Sequence, residues 1–348
     1  MSFRKSVRQS FEAQKSKVHA KKAHYLAGRP HRSFRLTRKE DYKKEHPAPG
    51  YIKFIFQVFG VIKKNRKVFF RLLLVSALAS VVLVGIMSQD RYESLDEAMD
   101  ETSEEVVAGN FSGFGKTTML FITTVATGGL NQNPTEPQQI FNVFIMILIC
   151  LATIWVLRQR FAGNDVRMKD ALYNAFGPLV SIALIFILLL IQLIPFFIAF
   201  IVYSSAVETD FLSNGFYALF FWIAVGGLGL LSIYLMVPTV IAIIAATAPG
   251  LYPMQALHNA GELVLGKRFK IIFRFIWGLI GILPVWIIVI LPAIMIDSFL
   301  KGVSDFFLGW PIVPVAFLLT SLFSVLYFSA YLYMYYRRLL DEFEPRNS

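Results

Sequence analysis

The chain has 348 residues, 56% of them hydrophobic and only 16% charged, where soluble domains carry about a quarter charged residues. The apolar excess is gathered into blocks of about 20 residues, long enough to cross a hydrocarbon core of roughly 30 Å, which excludes an ordinary soluble globule. The lone cysteine, Cys150, excludes an intramolecular disulfide and a cysteine-based metal site, and the net charge of +11 is concentrated ahead of the first apolar block.

Residues 1–50 form a polar, basic tail closed by Pro47, Pro49 and Gly50. It has no short apolar core followed by small residues, so no cleavable signal is expected. Together with the next stretch, residues 1–67 hold 19 Lys/Arg and 4 Asp/Glu. Three partners suit such a segment. Anionic lipid headgroups come first, because each basic residue near the surface contributes about 1 kcal/mol. Ribosomal RNA comes second, since Arg29, Arg32, Arg35, Arg38 and Lys39 are interleaved with Phe34 and Tyr42, which suits phosphates and stacked bases. An acidic protein is third. The contact residues expected on an anionic surface are those five together with Lys63, Lys64, Arg66, Lys67, Lys267 and Arg268.

In residues 51–64, YIKFIFQVFGVIKK, polar or small residues recur at 53, 57, 60 and 64. That spacing predicts an amphipathic helix lying in the membrane interface. Six spans follow, at about 69–87, 139–157, 178–203, 216–247, 276–296 and 311–335. Pro195, Pro238, Pro284 and Pro292 are expected to break or kink their helices, because proline lacks the amide donor and clashes with the preceding turn. The GGLG at 226–229 is expected to let a neighbouring backbone come close.

Lys/Arg placement sets orientation. With the N-terminus inside, Arg158, Arg160, Arg167 and Lys169, then Lys267, Arg268, Lys270 and Arg274, then Arg337 and Arg338 all fall on the cytoplasmic side or at its boundary. So do 31 of the 34 Lys/Arg overall. The expected fold is an all-α, six-span helical bundle with cytoplasmic interfacial helices and both termini cytoplasmic. It comprises the tail 1–50, a membrane domain 51–340 with an outer acidic loop 88–138, and a short C-terminus 341–348.

Within the outer loop, AGNFSGFGKTTML (108–120) imitates a phosphate-binding loop. The first glycine of G-x-x-x-x-G-K-[ST] belongs at position 110, which is Asn110, and no buried strand leads in. The loop also faces away from cytoplasmic nucleotide. TTMLFITTVATGG is too short to span, and an extra crossing would turn every later basic loop outward, so 112–129 is expected to be re-entrant or interfacial. Glu93, Glu97, Asp100 and Glu104 share one helical face opposite Leu95, Met99, Thr102 and Val106. This reads as an amphipathic helix, since the alternating carboxylates and glycine of a calcium loop are missing.

Apart from Arg71, the six spans contain no Asp, Glu, Lys, Arg or His, the groups that ion-coupled carriers generally need. Gln192 is the main polar exception; with Pro195 and Pro238 it marks a candidate substrate path, against the commoner alternative of a hydrogen bond between helices. The five histidines lack metal-binding spacing, and no nucleophile or acid/base pair can be assembled. No catalytic, cofactor or metal residue is assigned.

DALYNAFG (170–177) and QALHNAGE (255–262) share A-L-x-N-A, 85 residues apart. Each follows a span returning to the cytoplasm and precedes an outgoing one, and residues 51–67 hold the same place before the first span. PGLYPMQALHNAGELVLGKRFKIIFRFIW, IWVLRQRFAGNDVRMKDALYNAFGPL and HRSFRLTRKEDYKK resemble a family of uncharacterised bacterial multi-pass membrane proteins, nearly along the full chain. More loosely, residues 51–340 are similar to the membrane domain of glycerophosphodiester phosphodiesterases. The catalytic domain of those enzymes is absent, with neither a His-Arg-Gly opening nor a Pro-Glu-Asn motif. The resemblance implies a fold and a bacterial inner-membrane location without an activity. The expected function is that of a non-enzymatic membrane protein acting through its basic cytoplasmic face on anionic lipid, ribosome or a protein assembly; the alternative is a carrier or flippase for a lipid-like amphiphile.

Overall fold

A computed structural model describes residues 49–85, 135–208, 215–248, 250–304 and 310–343. Every described element is a helix: α1 (Tyr51–Lys64), α2 (Arg66–Leu83), α3 (Glu136–Phe161), α4 (Met168–Ala175), α5 (Leu179–Gln192), α6 (Ile194–Glu208), α7 (Gly215–Ala245), α8 (Pro253–Val264), α9 (Arg268–Ile280), α10 (Leu283–Val303) and α11 (Ile312–Phe343).

Five stretches are long and apolar enough to cross a membrane: Glu136–Phe161, Leu179–Tyr203, Phe220–Ala245, Arg268–Val303 and Ile312–Asp341. The first of the six expected spans is not among them. Its described helix, α2, opens with Arg66, Lys67 and Arg71, leaving an apolar run from Leu72 to Leu83, which rises only about 18 Å at 1.5 Å per residue. The outer surface suits lipid: Val180, Ile201, Ile288 and Phe299 are each more than 60% exposed, a pattern that water would penalise. In α5 only Ile182, Ile185 and Leu189 turn inward, a narrow helical stripe against α7.

The core is one continuous cluster centred on α11, whose Leu322, Tyr327, Ala330 and Tyr331 are fully buried. Helices in lipid gain no hydrophobic drive from meeting, so close packing and small residues must hold them. That role falls to Gly278 and Gly281. A Cβ on Gly278 would sit 2.8 Å from the Tyr331 ring, and one on Gly281 would sit 2.5 Å from the Tyr327 hydroxyl and 3.2 Å from Ile55. The expected close approach at GGLG is not found: among the described residues nothing lies within 4 Å of a Cβ built on Gly226, Gly227 or Gly229.

The prolines act unequally. The helix is interrupted at Leu193, just ahead of Pro195, and the Phe196 N–H donates to Ser232 Oγ of α7 (3.0 Å). A neighbouring hydroxyl thus satisfies an amide beside the break, as apolar surroundings require. Pro284 sits in the first turn of α10, after an interruption at Gly281 and Ile282, where its missing N–H costs nothing. Pro238 and Pro292 are carried inside continuous helices.

The two A-L-x-N-A stretches lie in α4 and α8 and are buried alike. Ala171 and Ala175 face inward in one, Ala256 and Ala260 in the other, all at most 1% exposed. Phe54 and Val58 hold the corresponding inner positions of α1. α4 packs on α3 and α2, α8 packs on α7 and α5, and α1 packs on α11 and α9. Each short helix therefore lies against the two preceding long elements, with α1 closing the ring.

Two boundaries differ from the expected ones. The fifth span begins eight residues earlier, at Arg268, so Arg274 is helical and buried instead of lying in a loop. It also extends to Val303, so it contains Asp297, 4% exposed and paired with Lys301 at 2.6 Å. The expectation of spans empty of acidic groups fails there, because helical propensity carries the element past the end of its hydrophobic run.

Candidate functional site: the basic end of the bundle

Arginines from distant parts of the chain meet at one end of the bundle. Arg158, near the end of α3, donates through Nη1 to the Thr247 carbonyl just past α7. Arg338, near the end of α11, donates through Nη2 to Gln57 Oε1 of α1 (2.7 Å). Arg274 of α9 donates through Nη2 to the Pro49 carbonyl, where the chain enters α1 (2.8 Å). Guanidinium groups lie over aromatic faces throughout: Arg337 over Phe161 at 4.4 Å, Arg338 over Phe54 at 4.8 Å and Arg268 over Tyr234 at 4.3 Å. Such stacking holds a cation where water is scarce while the long side chain covers apolar surface.

Arg274 is the most enclosed of these cations, at 4% exposure. The rings of Tyr51, Phe54 and Tyr335 surround it at 4.7, 5.4 and 5.8 Å. Its own carbonyl accepts a hydrogen bond from the Tyr331 hydroxyl (2.8 Å). Its Nε and Nη1 have no hydrogen-bond partner among the described residues. Nothing in the sequence singled it out from the other basic residues of 267–274; the only signal was its place among the aromatics of FKIIFRFIW.

At the other end of α1 from Arg274 lies a pocket of about 320 Å³, between the α1–α2 turn and the end of α3. Lys64, Asn65, Arg160 and Asn164 supply its polar lining, and Val61, Leu157 and Phe161 its apolar wall. α3 ends there in a Schellman motif. The Asn164 N–H reaches the Gln159 carbonyl (3.0 Å), the Gly163 N–H reaches the Arg160 carbonyl (3.2 Å), and Gly163 takes φ +87°, which a side chain rarely tolerates. Asn65 ends α1 by donating its side-chain amide to the Val61 carbonyl (3.0 Å), so it does not cap α2, which starts at the next residue. Arg160 donates from Nη1 to Asp165 (2.5 Å), while its Nε is shielded from bulk water and has no partner among the described residues.

Of the expected surface-contact residues, Lys63, Lys64, Arg66 and Lys67 are exposed at this end, and Lys267 and Arg268 are partly buried there. Arg29, Arg32, Arg35, Arg38 and Lys39 lie outside the described residues, as do the phosphate-loop imitation at 108–120, the acidic face at 93–106 and the segment 112–129. The expected substrate-path residues are brought together. Gln192 Oε1 accepts from the Thr239 hydroxyl (2.7 Å), joining α5 to α7 next to Pro238, and Pro195 follows two residues after the break at Leu193. Among the described residues no three His, Cys, Asp or Glu converge as metal ligands.

Comparison with family models, with curated proteins and with solved structures returns no match for this chain.

Proposed function

We propose that this is a non-enzymatic, multi-pass protein of the bacterial cytoplasmic membrane that engages anionic lipid through its basic cytoplasmic end. The supporting observation is the convergence described above: cations from α1, α2, α3, α9 and α11 gather at one end, locked by Arg158, Arg274 and Arg338 onto backbone or side-chain acceptors. The positive-inside bias makes that end cytoplasmic. In this reading α2 is the sixth span, both termini are cytoplasmic, and the bundle is three units, each a short interfacial helix followed by an outgoing and a returning helix. Lipid bearing net negative charge is favoured over ribosomal RNA or an acidic protein because these cations sit at the ends of membrane-crossing helices, at headgroup depth.

The test is a cross-linking pull-down from native membranes, comparing the full chain with one that starts at Tyr51. Anionic lipid enriched with both forms, and more strongly with the full chain, supports the reading, because the truncated chain keeps the cations of the bundle end. Ribosomal components captured only by the full chain, with no lipid enrichment, replace it by a docking function.

The carrier reading draws on the proline-interrupted α5–α6 pair facing α7. Its named polar group, Gln192, already has its side-chain oxygen engaged by Thr239. If Gln192→Leu and Pro238→Ala leave lipid distribution between leaflets unchanged, that reading loses its named residues.

A further inference from the structure

We propose that the pocket between the α1–α2 turn and the end of α3 is a discrete site for one phosphoryl group, filled by a phospholipid headgroup or by free phosphate. The proposal rests on the reading of the basic end given above and narrows it from a surface to a cavity.

Four observations carry it. The volume, about 320 Å³, accommodates a phosphate with its attached glycerol and leaves no need for a deep channel. Two cations reach it from segments almost a hundred residues apart, Lys64 from α1 and Arg160 from α3. The Arg160 Nε is a charged donor, hidden from bulk water and without a partner among the described residues, although buried donors are nearly always satisfied. The edge of a guanidinium bearing Nε suits phosphate oxygens, where it forms short charge-assisted bonds. Finally, two amide side chains, Asn65 and Asn164, complete the polar lining beside the two cations.

The helix ends give opposing fields. α1 and α3 finish here, and their carbonyl ends carry partial negative charge. Lys63, Lys64, Arg158 and Arg160 in those last turns offset it, and the Asn164, Gly163 and Asn65 amides occupy the carbonyls themselves. Asp165 occupies only Nη1 of Arg160 and is itself fully exposed. The apolar wall of Val61, Leu157 and Phe161 adjoins the polar rim, as a lipid's glycerol and first acyl carbons would require.

The experiment is native mass spectrometry of the full chain in detergent, titrated with dioleoylphosphatidylglycerol and, separately, with inorganic phosphate as competitor. Wild type is expected to hold one lipid in preference to further ones. Arg160→Gln is expected to weaken that first binding about tenfold. Asn164→Asp, which removes the donor to Gln159 Oε1 (2.8 Å), is expected to weaken it comparably by placing a carboxylate at the rim. Arg167→Gln with Lys169→Gln is the control, removing two exposed charges that do not line the pocket; it is expected to leave the first binding within about twofold. Displacement of the lipid by millimolar phosphate identifies free phosphate as a ligand of the same site, and resistance to it identifies the lipid headgroup. Equal loss from the pocket variants and the control overturns the discrete site while leaving the surface reading in place. Loss confined to the pocket variants, with tail removal harmless, keeps the site and rejects the surface reading. Absence of a preferred first lipid together with absence of phosphate binding overturns the proposal outright.

Discussion

Gly278 and Gly281 bring α9 against Tyr327 and Tyr331 with no room for a methyl group. Gly281→Ala is expected to cost about 1–3 kcal/mol, the range for overpacking a close-packed interior. Gly60→Ala, where nothing lies within 4 Å, is expected to cost nothing and to gain some helix propensity. Unfolding in detergent–denaturant mixtures separates the two; equal midpoints would remove the close-approach role. Arg274 is a different case. Two of its nitrogens are unpartnered, so replacing it by an apolar group removes a desolvation cost along with a bond. Arg274→Leu is therefore expected to change global stability by less than about 1 kcal/mol. Loss of its bond to the Pro49 carbonyl should nonetheless free the first turn of α1. Amide exchange at Phe54, whose N–H bonds the Gly50 carbonyl, is then expected to accelerate at least tenfold. Unchanged exchange would show that the aromatic contacts alone seat the helix.

Among the elements, α4 and α8 use the same means of packing, a pair of alanines one turn apart with polar residues outside. The small side chains set the distance to the longer helix beneath. Ala175→Leu and Ala260→Leu are each expected to cost about 1–3 kcal/mol, whereas Tyr173→Ala, at an 82% exposed position, stays within about 0.5 kcal/mol. A thermal-shift series over the three variants checks this, and a tolerated Ala260→Leu would mean that the seam is not close-packed. The α5–α7 pair is held partly by Gln192 and Thr239. A double-mutant cycle with Gln192→Leu and Thr239→Val is expected to return a coupling of about 0.6 kcal/mol, the average for such bonds in membranes, and no more than about 1.7 kcal/mol. A coupling indistinguishable from zero would leave the Gln192 amide available for other work.

For the whole molecule, the decisive quantity is the number of crossings. Five helices meet the length and composition needed to span, and α2 is the sixth in the proposed topology. Lys64→Cys and Thr135→Cys bracket α2, and in that topology an impermeant maleimide labels the first only from inside and the second only from outside. Labelling of both from one side would remove α2 from the spans and restore an odd count. Cys150, half-buried within α3, serves as the internal check on background labelling.

The membrane class, the helical blocks and the basic bias of one face were legible in the sequence, because each depends on local composition: twenty apolar residues in a row mean the same thing wherever they pack. The inner alanines of α4 and α8 were visible as A-L-x-N-A, since a buried seam repeats at helical spacing. The site was legible only in its charges. That Lys64 meets Arg160, that Arg274 sits in a box of Tyr51, Phe54 and Tyr335, and that Gly278 and Gly281 rather than GGLG make the close approach are facts about residues far apart in the chain. Hydropathy ranks residues one at a time and holds no information about which helix faces which. The sequence by itself determined that this chain has helices long and apolar enough to cross a membrane. Only the tertiary packing decided which of its basic groups share a pocket, because that depends on the register and rotation of neighbouring helices, set by side-chain fit across the whole bundle.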